Sequence, residues 1–162
     1  MIIKKEALTL IEGTSKYEHS LLTGRIMGVL AGLMSEERGL WELTGILHDL
    51  DFDQTQDDRA KHGVVAAKML QGKLPEDALY AIMSHDYRTG LQPLSKMDHC
   101  LIYADALAVL AEEGNLIKPV TEAMLSEAFT KISEKKLRIK NIMDRFPFMD
   151  QVNTLGLLNI VL

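Results

Sequence analysis

The stretch Leu43-Thr44-Gly45-Ile46-Leu47-His48-Asp49-Leu50 decides how the rest of the chain is read. Leu43, Ile46, Leu47 and Leu50 recur at the three- and four-residue steps of one helix face, so the segment reads as a helix laid on a core. His48 and Asp49 close it, about 100° apart around the axis. Gly45 lies one turn earlier, between the two. A glycine there clears space beside the backbone, either for an ion or for the close approach of a second helix.

Working outward, apolar residues keep helical spacing through most of the chain, and alternating strand patterns are nearly absent. A first helix is expected over about Lys4 to Ile11, ending at Gly13. Ser15, with Glu18 three residues on, reads as the capping box of a second helix running to about Met34. Ser35 reads as the cap of a third, ending near Leu50. The acidic stretch Asp51 to Asp58 reads as a loop. A fourth helix is expected over about Arg59 to Leu70, ending at Gly72. Pro75 suits the first turn of a fifth, which ends near His85. Thr89 to Pro93 is a turn, and Ser95 caps a sixth helix that reaches about Glu113 and closes at Gly114. A seventh is expected from about Pro119 to Lys135. Beyond Lys136 the pattern is less regular, and Pro147 breaks any single helix. The fold class is therefore all-α, a single domain over residues 1–162 of about six to eight helices.

Bulk composition agrees. At 162 residues the chain fits one domain and buries roughly two-thirds of its unfolded surface. Hydrophobic residues at 47% and charged residues at 25% are an ordinary globular balance. Four prolines and no Ser/Gly-rich linker argue against an internal boundary. The net charge of -5 disfavours a nucleic-acid partner, which needs a basic stripe. A small anionic substrate stays compatible, because a bound metal reverses the local sign of charge. A single cysteine, Cys100, rules out an intramolecular disulfide and points to a reducing compartment. Residues Met1 to Leu10 lack the apolar core of a signal peptide, and no apolar run approaches the roughly 20 residues of a membrane span. The expectation is a cytoplasmic protein with no membrane partner.

Four ionisable side chains fall on apolar helix faces. His19 shares its face with Leu22, Ile26 and Leu33; His62 with Val65, Ala66 and Met69. His85 shares its face with Ala78, Ala81 and Ile82; Asp105 with Leu101, Ile102, Ala108 and Val109. Burying a carboxylate without a partner costs several kcal/mol or forces it to stay protonated. Few cationic side chains share these faces. A metal ion would satisfy Asp105 and the imidazoles together, since neutral His and ionised Asp are common ligands of first-row metals. Hydrogen-bonded core residues are the other reading, and pattern alone leaves both open.

The order His19, His48-Asp49, Asp105 resembles the H…HD…D signature of the HD superfamily of metal-dependent phosphohydrolases. Gly45-Ile46-Leu47-His48-Asp49-Leu50-Asp51 looks like the family's most recognisable segment. Lys61-His62-Gly63 and Ser84-His85-Asp86 resemble the two extra histidines of its dinuclear branches. The resemblance spans about Lys16 to Glu112. It implies an HD-type helical bundle with a metal-binding core at about residues 16–113 and a C-terminal helical extension. It also implies metal ligands His19, His48, Asp49 and Asp105 at one position, and His62 and His85 at a second, with Asp49 bridging. Asp49, His62 and His85 are then the expected catalytic residues. The implied cofactor is a divalent transition metal, two ions, with iron or manganese ahead of zinc, cobalt, nickel or magnesium. The GYP motif of the cyclic-di-GMP phosphodiesterases is missing, and the chain is far shorter than the dGTP triphosphohydrolases and the (p)ppGpp enzymes. The closest likeness is to small single-domain HD hydrolases; the dinuclear diadenosine-tetraphosphate hydrolases share the ligand order.

The implied reaction is hydrolysis of a phosphoester or phosphoanhydride, in a nucleotide or small phosphorylated metabolite, by a metal-activated water. Lys16, Arg59, Lys61 and Arg88 lie near the ligands in sequence and are the expected substrate-binding cations. Asp51, Asp53 and Asp86 are candidate acceptors that orient ligands or carry protons. The polar run Asp53 to Asp58 is expected to border the substrate entrance, and His99 has no counterpart in the motif. Two other readings stand beside the first: a di-iron oxygenase of the same superfamily, which shares the six-ligand pattern, and a non-catalytic helical module that binds a nucleotide or partner. Phe146-Pro147-Phe148-Met149 and Leu155 to Leu162 are apolar enough to pack on the core or on a second subunit, which leaves a homodimer open.

Overall fold

Helix α1, Lys4–Ile11, sits where its apolar spacing puts it, with Ala7 and Ile11 buried. The computed structural model describes residues 1–132 and 136–162. Helix α2 spans Tyr17–Leu33 and α3 spans Arg38–Leu47. Then come α4, Val64–Met69, and α5, Glu76–Ser84. Helix α6 spans Lys96–Glu113 and α7 spans Glu122–Lys131. The C-terminal part adds α8, Lys136–Asp144, and α9, Thr154–Val161. Short 3-10 turns lie at Phe52–Thr55, Arg59–Lys61, Tyr87–Thr89 and Met149–Gln151. Among the described residues there is no strand, and the all-α expectation holds.

Helix α6 is the axis of the bundle. Cys100, Leu101, Tyr103, Ala104, Leu107 and Leu110 are all fully buried, on more than one face. With α2, α3, α5, α7 and α8 packed around it, α6 leaves, between its end residues, only the stripe His99, Ile102, Asp105, Val109 and Glu112 partly open. Its start is fixed as expected: Ser95 Oγ accepts from the Asp98 amide at 3.2 Å, and the Asp98 carboxylate accepts from the Ser95 amide at 3.1 Å. Gly114 closes it.

Two other caps differ from expectation. Ser15 does not cap α2; its hydroxyl and amide both go to Asp53, 38 residues on. The position before α2 is Lys16, which makes no side-chain cap. Nor does Ser35 cap α3. Ser35 has a left-handed φ of 58° in the turn, and Glu37 caps instead, accepting from the amides of Gly39 and Leu40. The fourth expected helix is split: its first turn is 3-10, and Gly63, at φ +80°, separates that turn from α4. The seventh starts at Glu122 rather than Pro119, behind Thr121 as cap, and its expected end at Lys135 lies outside the described residues. The C-terminal residues pack within the chain: Leu157, Leu158 and Val161 are buried, α9 lies against α2, and Phe146 stacks on Tyr103 at 4.2 Å between ring centres.

Helices α2 and α3 cross at two glycines. A Cβ on Gly45 would stand 2.8 Å from the Gly24 Cα and 2.9 Å from the Thr23 carbonyl oxygen. A Cβ on Gly24 would meet the Ile46 side chain at 2.5 Å. Of the two roles that Gly45 could have, the structure selects helix approach. This contact carries the end of α3, and with it His48 and Asp49, into the interior.

Among the described residues, no helix is long and apolar enough to cross a membrane.

Candidate metal centre

His19 comes from the first turn of α2, and Asp105 from the middle of α6. His48 continues α3 by one αR residue, with Asp49 after it. His85 continues α5 in the same way. His62 is different: it comes after the 3-10 turn with extended backbone, φ -62° and ψ 133°, so no helix face presents it. Its apolar-face reading fails in detail, since Met69 is exposed, and yet His62 is buried.

What places His62 is Asp51. This fully buried carboxylate accepts from His62 Nδ1 at 2.8 Å, from the Gly63 amide at 2.9 Å and from the Ala66 amide at 3.0 Å. One side chain thus orients the imidazole and caps the start of α4. A Cβ on Gly63 would collide with the Ile82 carbonyl, the same oxygen that accepts from His85 Nδ1 at 2.6 Å. The glycine therefore lets the His62 turn lie against the end of α5.

The four imidazoles follow one rule. Nδ1 of His48 donates to the Gly45 carbonyl at 2.7 Å, and Nδ1 of His85 to that of Ile82. Nδ1 of His62 faces Asp51, and Nδ1 of His19 faces Glu112 Oε2 at 3.1 Å. For His48 and His85 the acceptor is a carbonyl, so each of these rings in its neutral form carries its proton on Nδ1, whereas His19 and His62 face a carboxylate from both ring nitrogens. Each Nε2 turns inward, and it offers a lone pair wherever the ring is neutral with its proton on Nδ1.

Those nitrogens meet at two carboxylates. Asp49 Oδ1 lies 3.0 Å from His62 Nε2, 3.4 Å from His48 Nε2 and 3.6 Å from His85 Nε2. Asp49 Oδ2 lies 3.8 Å from His19 Nε2, and Asp105 Oδ1 lies 3.1 Å from the same nitrogen. Asp105 Oδ1 is also 3.9 Å from His48 Nε2. Ligand atoms held at about 2.1 Å by one ion stand roughly 3.0–3.4 Å apart, so the spacing suits a metal. Two groups of three draw together most closely, His19, His48 and Asp105, and His48, Asp49 and His85.

The donor set also needs a cation. His48 is fully buried, and its Nε2 has no hydrogen-bond partner. Buried polar atoms in that state are rare. Burial pushes the His48 imidazole down to about 4, so the ring is neutral and the lone pair is free. Burial alone would push His19 down as well. Its hydrogen bonds to Asp105 and Glu112, and the charges of Asp105 and Asp49, outweigh that and hold it up at about 10. His62 is likewise held up at about 9 by Asp49 and Asp51 against its burial. Burial opposes ionisation of Asp49, yet His48, His62, His85 and His19 around it hold its carboxyl well below the usual range. Protons on the imidazoles and a divalent ion are two ways of neutralising the same carboxylates. The residues present fit a metal.

All six expected ligands thus come together, five of them buried. Asp105, with 24% of its side chain exposed, is the open side of the cluster. The expected cations are placed less evenly. Lys16 Nζ and the Arg59 guanidinium lie 4.4 Å and 4.0 Å from the centre of the Phe52 ring, whose neighbour is His62 at 5.6 Å, edge to face. Lys61 is exposed and paired with Asp58 at 2.8 Å, away from the cluster. Arg88 is folded back on Asp86 through its Nε and Nη2. Asp86 is thereby spent on Arg88, and Asp53 on Ser15; of the three candidate acceptors only Asp51 orients a ring of the cluster. Two hollows reach the cluster, one at His19 and Glu112, the other at His85. Of the run Asp53 to Asp58, expected at the entrance, none lines either hollow directly, and Asp53 adjoins the first through Ser15, which does. His99 lines the second hollow. Sequence reasoning missed Glu112, whose only signal is its position seven residues after Asp105 on the same face of α6.

An all-α bundle that gathers six His and Asp side chains around buried lone pairs defines a metal-binding helical protein. The model of the family described as HD domain matches residues 17–110, more than half of the chain, and the chain belongs to that family. Membership points to metal-dependent hydrolase activity in general, with divalent metals as cofactor. Comparison with curated proteins and with solved structures gives no match.

Proposed function

We propose that this chain is a phosphohydrolase that cleaves a phosphoester or phosphoanhydride bond in a nucleotide or small phosphorylated metabolite. One observation carries the reading. Four imidazoles, each with Nδ1 committed to an acceptor, aim Nε2 at the carboxylates of Asp49 and Asp105.

His19, His48, Asp49 and Asp105 would hold one ion. His62 and His85 would hold a second, with Asp49 shared. When bound, such ions supply a water made acidic near neutral pH and positive charge for the oxygens of a phosphoryl group. The chain's own residues do the rest. Asp51, Glu112 and the carbonyls of Gly45 and Ile82 keep the rings from turning, so the site is organised before substrate arrives. Lys16 and Arg59, fixed against Phe52, stand where they would meet phosphate oxygens. Arg59 also donates to the Phe52 carbonyl and to Gln56, which limits its swing. Substrate and solvent would enter by the hollows at His85 and at His19 and Glu112.

The test is the metal content of freshly purified, anaerobically handled protein beside His48→Ala and Asp49→Ala. Phosphate release from a panel of nucleotides and phosphorylated metabolites is measured next. About two transition-metal ions per chain, lost in both variants, with phosphate released, are expected. No metal after reconstitution with manganese or iron would overturn the reading. Iron with oxygen uptake and no phosphate release would replace it with oxygenase chemistry.

A further inference from the structure

The hollow at His85 is a cleft of about 770 Å³. Its floor is α6, through His99 and Ile102, and one wall is the segment after α5, through Tyr87, Leu91 and Pro93. The other wall is α8 together with Phe146 and Pro147, outside the residues matched by the family model. Ile139 and Met143 are buried. That leaves Arg138, Asn141, Ile142 and Arg145, at steps of three, four and seven, as a single face turned to the cleft.

The chemistry of this face is specific. Two guanidiniums line the cleft and no carboxylate does, among the described residues, in a chain of net charge -5. Neither Arg138 nor Arg145 has an ion-pair partner among the described residues, whereas Arg88 nearby is neutralised by Asp86. The Arg138 guanidinium lies 4.4 Å from the centre of the Tyr87 ring. Tyr87 and Leu137, which also line the cleft, remain 66% and 69% exposed. Guanidiniums with no ion-pair partner among the described residues, beside apolar and aromatic surface, suit a ligand that is part anion and part planar apolar group.

We propose that this cleft seats the organic part of the substrate, and that Arg138 and Arg145 meet negative charge beyond the phosphoryl group at the His85 end. The ligand is an organic polyphosphate with a planar apolar moiety, as distinct from inorganic pyrophosphate or a sugar monophosphate. The inference rests on the hydrolase reading of the His85 cluster for the ligand's orientation. The C-terminal helix α8, and not the six-residue cluster, then sets the specificity.

The test uses the full chain with the metal it is purified with. Binding of α,β-methylene-ADP, methylenebisphosphonate and ribose 5-phosphate is measured by calorimetry. Wild type is compared with Arg138→Gln, Arg145→Gln and the double variant, with metal content and helical circular dichroism recorded for each. The nucleotide analogue is expected to bind at least ~10-fold more tightly than either of the other probes. Each substitution is expected to weaken it by on the order of 10-fold, at unchanged metal content, since one charge-assisted pair is lost. Equal binding of the analogue and the bisphosphonate, or wild-type affinity in a folded double variant, overturns the cleft assignment. Phosphate release with a KM for the active nucleotide that ignores both arginines overturns it too, and leaves the hydrolase reading intact. Arginine-dependent binding by protein that holds no metal and releases no phosphate upholds the cleft and defeats the hydrolase reading alone.

Discussion

Asp51 and His62 form a fully internal pair: the carboxylate accepts from Nδ1 at 2.8 Å and turns the opposite ring nitrogen onto Asp49, 3.0 Å away. Because Asp51 also holds the amides of Gly63 and Ala66, it joins ring orientation to the start of α4. In Asp51→Asn the amide oxygen can still accept but its NH2 group cannot, so at least one donor is orphaned. The expected cost is about 1–3 kcal/mol of stability and roughly a 10–100-fold loss of metal affinity. Chemical denaturation and metal titration check both; a variant with wild-type metal affinity would leave Asp51 a structural cap only.

Gly45→Ala puts a methyl group against the Gly24 Cα and the Thr23 carbonyl, backbone atoms that cannot step aside as a side chain would. The helices must separate, at an expected cost of about 1–3 kcal/mol. The Gly45 carbonyl holds His48 Nδ1, so metal affinity is expected to fall along with the melting temperature. Thermal melts with and without added manganese measure the two losses separately.

Metal uptake should rise with pH. In the metal-free chain His19 and His62 are held up at about 10 and 9, so both carry protons at pH 7 and must lose them to act as ligands. Apparent affinity is expected to climb about tenfold per pH unit for each proton displaced and to level off above pH 9–10. Metal-free stability runs the other way. Both imidazoles are raised above the unfolded value of 6.5, so their contribution is complete below pH 6.5 and is lost as pH rises through 9–10. Titration in weakly buffered solution at pH 7 should show proton release on metal addition; none would mean that the rings are already neutral.

Chelation should lower the melting temperature, because a metal bound only by the folded chain stabilises it by about 2.7 kcal/mol at 100 times Kd. His62→Ala is expected to keep part of that gain, since His19, His48 and Asp105 form a group of their own. His48→Ala touches both groups and is expected to abolish it. Equal retention in both variants would argue against two separable positions.

Local sequence was enough for the parts of the fold governed by neighbouring residues. The limits of α6 follow from Ser95 and Gly114, because a cap acts within one turn. The apolar face of Leu43, Ile46, Leu47 and Leu50 locates His48 and Asp49 correctly, since αR geometry continues through His48. Ser15, Ser35 and His62 went otherwise. For Ser15 and His62 the partners, Asp53 and Asp51, are too distant for a local pattern to register; for Ser35 a local turn closed by Glu36 N to the Ala31 carbonyl moves the cap to Glu37.

The sequence by itself determined an all-helical chain and the six residues of its polar centre, because helical periodicity and the ordered His and Asp positions are properties of the linear pattern. Only the tertiary structure decided that Gly45 serves a helix crossing, that Glu112 and Asp51 hold Nδ1 of His19 and His62, and that α8 walls a cleft at His85. Each of those depends on atoms from separate segments meeting at a helix crossing, in a hydrogen bond of 2.8–3.1 Å or across a cavity, and such meetings exist only once the helices have packed.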